Sequence, residues 1–160
     1  MSWAETLKIN GNMKKPLDKL AYEIFYNLSI VQNKGYGTST SDVFIVEDGK
    51  DNIGTSEYSG STCKVVILPP TITQINIKAF YQNANLSTIV IPEGVQIISA
   101  LAFGLCTNLK CVRLPSTINT ISNIAFTGAT NLKHIYVPWS KGKIADAPWG
   151  ADNATVHYNS

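Results

Sequence analysis

Charged side chains are scarce in this chain. Lys, Arg, Asp and Glu together make up 15% of it, and the 13 basic and 11 acidic residues leave a net charge of only +2. The surface is therefore expected to be built from Ser, Thr, Asn and Gln. No basic cluster extends beyond Lys14-Lys15, which argues against an electrostatic nucleic-acid binder. There is no apolar run of about 18 residues, so no membrane span is expected. Met1-Ser2-Trp3-Ala4-Glu5 has neither a basic stretch nor an apolar one behind it, so no signal peptide is read there. Histidine occurs at His134 and His157 and nowhere else, and cysteine at Cys63, Cys106 and Cys111. None of these falls at a zinc spacing, and an odd number of cysteines argues against a disulfide framework. No metal and no cofactor is expected.

What the chain does have is a repeat. Pro69, Pro92, Pro115 and Pro138 follow one another at 23-residue steps, and so do Phe80, Phe103, Phe126 and Trp149. Ile75, Ile98, Ile121 and Ile144 keep the step, as do Leu86, Leu109 and Leu132, each preceded by Asn. Several columns in one register mark a solenoid of the leucine-rich-repeat kind, whose period lies in the ~20–29 residue range. The repeats are read as 63–88, 89–111, 112–134 and 135–160. Strands are expected at Val66 to Leu68, Ile89 to Ile91, Val112 to Leu114 and Ile135 to Val137. Side chains alternate along a strand. The first and last residues of each therefore point inward, while Ile67, Val90, Arg113 and Tyr136 point outward.

A second apolar pair in each repeat (Ile72/Ile75, Val95/Ile98, Ile118/Ile121) is expected to line the opposite wall. Proline, with no N–H to give, ends each strand. Phe80, Phe103 and Phe126 are read as core rings filling the gap between rungs, and Cys106 as a small buried thiol. The fourth repeat departs from the pattern, with Lys141 in an apolar column and Pro148-Trp149 in place of Ala-Phe. It is read as a terminal cap.

Ahead of the repeats, Ser2-x-x-Glu5 fits a capping box. Leu17, Ala21, Ile24, Leu28 and Val31, widened by Leu20 and Phe25, form an amphipathic stripe of about four helical turns. The expected fold class is thus α+β: a short right-handed solenoid with a helical segment over 1–31 for attachment or oligomerisation. Residues 32–62 are read as a polar linker with a short capping strand at Val43-Phe44-Ile45-Val46, where Glu57 falls in the aromatic column. Whether the 1–31 stripe packs on its own domain or forms a seam between copies, giving a homo-oligomer, stays open.

The strings Leu68-Pro69, Ala79-Phe80, Asn85-Leu86; Ile91-Pro92, Ala102-Phe103, Cys106, Asn108-Leu109; and Leu114-Pro115, Ala125-Phe126, Asn131-Leu132 resemble BspA-type leucine-rich repeats. Only Cys106 keeps the family's Ala-Phe-x-x-Cys cysteine; Asn83 and Ala129 stand there in the neighbouring repeats. The resemblance covers about 63–150. It implies a right-handed solenoid used in adhesion and protein binding, and it brings no catalytic residues. Over about 20 residues at each end, a second resemblance appears. Ser2-Trp3-Ala4-Glu5-Thr6 through Lys15-Pro16-Leu17-Asp18-Lys19-Leu20, and Val137-Pro138-Trp139 through Ala147-Pro148-Trp149-Gly150-Ala151 and His157-Tyr158, look like the ends of phage and prophage tail or tail-fibre proteins of Gram-positive hosts.

Two functional readings follow, and a third is weaker. The first is a virion-associated module, tail, fibre or capsid, made in the host cytoplasm. Its N-terminal segment would hold a virion scaffold and its solenoid would face a host or protein ligand. The alternative is a bacterial surface adhesin or secreted protein-binding domain. The third, a glycan-active enzyme, has no residues to rest on: Asp146 and Asp152 flank Trp149 without marking a glycosidase pair. Asp48-Gly49-Lys50-Asp51-Asn52 reads as a turn rather than a calcium loop. The chain is expected to be non-catalytic. Its binding face is expected on the outward column Ile67, Val90, Arg113 and Tyr136, with Thr88, Cys111 and His134 beside it and Trp139 at the rim.

Overall fold

The computed structural model of the chain describes residues 42–159, and every regular element in that range is a strand. In chain order these are β1 (Val43–Ile45), β2 (Asn52–Ile53), β3 (Val65–Ile67), β4 (Gln74–Ile75), β5 (Thr88–Val90), β6 (Ile97–Ile98), β7 (Cys111–Arg113), β8 (Thr120–Ile121), β9 (His134–Tyr136) and β10 (Thr155–His157). The chain winds between two parallel sheets. One has six strands in the order β1-β3-β5-β7-β9-β10, here called sheet A; the other has four, β2-β4-β6-β8, here called sheet B. Paired residues along sheet A, from Val43 to Val65, Thr88, Cys111, His134 and Thr155, mark five turns.

This corrects the expected α+β class. The described residues form a parallel β-solenoid without a helix, and the stretch 1–31, where the N-terminal helix was placed, lies outside them. Backbone geometry explains why the wall after each sheet B strand does not become helical. Lys78 and Gln82 in one rung, and Leu101 and Leu105 in the next, have φ of 56°, 58°, 54° and 56°. A left-handed residue every four positions stops a right-handed helix before it completes a second turn.

The inward residues of both sheets meet in one core. Val66, Leu68, Ile89, Ile91, Val112, Leu114, Ile135 and Val137 are buried from the sheet A side. Ile72, Ile75, Val95, Ile98, Ile118 and Ile121 are buried from the other. Leu86, Leu109 and Leu132 close the return. At the corner the fully buried rings of Phe80, Phe103 and Phe126 stack, with centroids 5.4 Å apart and planes within 6° and 9° of parallel. The alanines before them are also fully buried, which lets the backbones of successive rungs bond: Phe80 N–H donates to Ala102 O (2.8 Å), Phe103 to Ala125 (2.9 Å) and Phe126 to Trp149 (3.0 Å). Cys106 takes part in the same corner, its thiol donating to Phe80 O at 3.1 Å. Asn85 and Asn131 tie rung to rung by donating from Nδ2 to Thr62 O and Thr107 O.

The two ends of the stack differ from their sequence reading. Residues 43–62, read as linker and degenerate cap, form a full turn with its own sheet B strand, β2, and with Ile53 fully buried. That turn is 22 residues long from Val43 to Val65. The aromatic position therefore falls on Tyr58 rather than Glu57, and Tyr58 stacks on Phe80 at 5.7 Å. Glu57 instead turns outward, bridging to Lys50 Nζ at 2.8 Å and accepting the Gly54 N–H at 2.6 Å. At the other end the last turn makes no sheet B strand but adds β10 to sheet A, and Trp149 fills the aromatic column fully buried.

Candidate binding face

Alternation in sheet A places the core residue of each three-residue strand inward and its two flanking residues outward. The outer face therefore carries two columns. Val43, Val65, Thr88, Cys111, His134 and Thr155 form one, and Ile45, Ile67, Val90, Arg113, Tyr136 and His157 form the other. The chemistry changes along both. The first three rungs present aliphatic residues and one Thr; the last three present a thiol, a guanidinium, two imidazoles, a phenol and a Thr.

Burial changes with the chemistry. On the first half Val43, Ile45, Ile67 and Thr88 are 8%, 5%, 3% and 5% exposed although they point away from the core, and Val65 and Val90 pack against them half-buried. On the second half Arg113, His134 and Thr155 are exposed, and Cys111, Tyr136 and His157 are partly so. There the rings form a cluster. Tyr136 and His157 stack at 4.4 Å with planes 14° apart, and His134 lies 5.2 Å from His157 and 6.2 Å from Tyr136. His134 Nδ1 and His157 Nε2 are 3.0 Å apart and share a hydrogen bond, the donor set by the tautomers.

The expected binding residues therefore divide. Arg113, His134 and Tyr136 are brought together on an accessible surface. Ile67 and Val90 belong to the covered half. Trp139 is not at the rim: it is 7% exposed and packed into the core, with the Lys143 ammonium 4.9 Å from its ring centroid. Its indole N–H finds no acceptor among the described residues. His157 was not among the expected face residues. A strict 23-residue step aligns it with His134, but the last turn runs 21 residues from His134 to Thr155, so its strand partner is Tyr136. The column was legible; the shortened turn was not.

The cysteines offer no activated nucleophile where their state is resolved. Burial pushes the Cys106 thiol up to about 12 and holds Cys111 above its ordinary value, so both stay protonated at neutral pH. All three thiols are free. The two imidazoles supply two nitrogen donors, and no group of three or more His, Cys, Asp or Glu able to hold a metal ion occurs among the described residues. What the second half of the face offers is recognition: a guanidinium fork, flat rings with polar edges and a hydroxyl, the residue types that carry energy in protein interfaces.

The family of BspA type leucine rich repeat regions matches residues 22–149 in 6 copies. The chain belongs to this family. The match starts inside the segment set apart as 1–31 and runs through the stretch read as linker. Among solved structures, the BspA-type chain is similar to a leucine rich cell surface protein from Faecalibacterium prausnitzii A2-165, at 20% identity and a TM-score of 0.66, over 76% of this chain and 34% of that one. It is also similar to a leucine-rich repeat protein from Bacteroides ovatus ATCC 8483, at 18% identity and a TM-score of 0.45, over 74% of this chain and 42% of that one. The BspA-type chain thus spans well under half the length of either neighbour. No curated protein matches it. The tail-like resemblance of its two ends has no counterpart in these comparisons.

Proposed function

We propose that this BspA-type chain is a protein-binding module of a bacterial surface, and that it binds through the second half of the outer face of sheet A. The observation that carries this reading is the cluster of Arg113, His134, Tyr136 and His157 on successive rungs, accessible beside a half-face of the same sheet that is covered. A rigid parallel sheet fixes these side chains at ~4.8 Å intervals. A partner then meets a preorganised surface and spends little on ordering it. Membership of the family and the likeness to a protein described as a cell surface protein support a surface setting over a virion. The expected virion scaffold, with residues 1–31 as its attachment segment, draws support from neither.

The test is the double change Arg113→Ala with Tyr136→Ala in the full chain, assayed against a panel of purified bacterial and host surface proteins and against whole cells. Loss of a ten-fold or greater share of the affinity, with an unchanged melting transition, is the expected result. Binding that survives the double change overturns the assignment of this face.

A further inference from the structure

His134 and His157 stand one period apart in the chain, 23 residues, a separation that no local ligand motif would single out. The solenoid folds that period into adjacent strands. β9 and β10 pair in parallel with His134 opposite Thr155 and Tyr136 opposite His157, so the two imidazoles are diagonal neighbours on the outer face of sheet A. His157 lies on the Tyr136 ring, 4.4 Å away and 14° from parallel, and His134 is tilted against both. Each ring is thus packed with one nitrogen turned to the other: His134 Nδ1 and His157 Nε2 are 3.0 Å apart. Both rings reach solvent.

We propose that this pair is a binding site for a divalent late transition-metal cation, Ni²⁺ or Cu²⁺, held between His134 Nδ1 and His157 Nε2. Imidazole nitrogen suits these ions. Metal–imidazole bonds are ~2.0–2.1 Å long, so two nitrogens in neighbouring positions of a square or octahedral shell stand about 2.9 Å apart. The 3.0 Å between the two nitrogens matches that spacing. A tetrahedral shell spreads the same two ligands to about 3.4 Å, which makes Zn²⁺ the poorer fit. In the metal-free pair one facing nitrogen carries a proton and the other accepts it. On binding, the donating ring shifts that proton to its own far nitrogen, so both facing nitrogens offer lone pairs and no proton is lost. No third His, Cys, Asp or Glu joins them among the described residues, so water fills the remaining positions. Arg113 stands one rung from His134 and two from His157, and on an exposed face solvent and salt screen its repulsion of a cation. Two ligands on one rigid sheet act as a chelate: once one imidazole holds the metal, the second meets it at high effective concentration, which adds ~10²–10⁴-fold to the affinity. The metal bridges β9 to β10 and so ties the last rung, which has no sheet B strand, to the one before it. The site stands whether or not a protein binds this face.

These two histidines are the only ones in the chain, so the full chain without a purification tag reports this site with no background from other imidazoles. Titration calorimetry with nickel chloride in a non-coordinating buffer is expected to show about one Ni²⁺ per chain. His134→Gln and His157→Gln are each expected to weaken that binding at least ten-fold, because either change leaves one ligand and no chelate. In NMR spectra of the wild type, substoichiometric Ni²⁺ is expected to broaden the ring signals of both histidines together. A wild-type affinity weaker than about 1 mM overturns the proposal. So does binding weakened less than ten-fold by either change, or broadening of one ring alone or of neither. If a Gln variant fails to fold, the wild-type broadening decides.

Discussion

Phe103 is a fully buried ring with a parallel ring 5.4 Å away on each side, so truncating it removes contacts from three rungs at once. Phe103→Ala is expected to cost about 3–5 kcal/mol, the range for buried Phe truncation; a change under ~0.5 kcal/mol in denaturant melts would place the ring outside the core. Gly128 sits in the same column as Gln82 and Leu105, with φ of 80°, and a Cβ there would run into the Leu105 side chain. Gly128→Ala is therefore expected to lose ~1–2 kcal/mol from the left-handed backbone alone, read as a lower melting midpoint. Burial works to raise the Glu57 carboxyl, but the bond to Lys50, the Gly54 N–H and the Lys50 charge outweigh it and hold the group below its ordinary value. A depressed folded value means a contribution that is present above the unfolded value and lost as pH falls through the folded one. The side chain is 29% exposed, so the pair is worth no more than about 0.2–1 kcal/mol. Glu57→Gln should remove that part of the acid-side slope in melts between pH 6 and about 3; an unchanged slope would show that the bridge contributes nothing.

At the scale of the element, a rung is held by its neighbours rather than by itself. Sheet A strands are three residues long and sheet B strands two, far below what an isolated strand pair needs. Three lines of inter-rung bonds make up the difference: sheet A, sheet B and the corner through Ala and Phe. The last rung has no sheet B strand, and among the described residues β10 is the last strand of sheet A. Amide hydrogen exchange is therefore expected to be slowest on β5 and β7 and faster on β10 by at least ten-fold, since terminal units open first in a one-dimensional stack. Uniform protection across sheet A would show that the solenoid opens only as a whole.

For the whole molecule, the period determined most of what matters. The 23-residue columns in the sequence located the inward residues of β3, β5, β7 and β9, the opposite wall and the aromatic corner, because a solenoid repeats each environment at each turn and the sequence must repeat with it. Cys106 was legible as a buried thiol on the same ground. The columns could not be followed where a turn changes length. The first turn is one residue short, so Tyr58 rather than Glu57 enters the corner, and the last is two short, so His157 pairs with Tyr136. Insertions and deletions leave composition unchanged and shift register, and only the backbone pairing reveals them. The α+β expectation rested on the apolar stripe at 17–31, which lies outside the described residues, whereas every regular element that is described is a strand, and the left-handed residues at Lys78, Gln82, Leu101 and Leu105 that keep the wall from becoming helical have no sequence signature of their own. The outward column of Ile67, Val90, Arg113 and Tyr136 was also readable from alternation. Which half of the face is buried was not readable, nor that Trp139 turns inward, because burial is decided in three dimensions and not by the period.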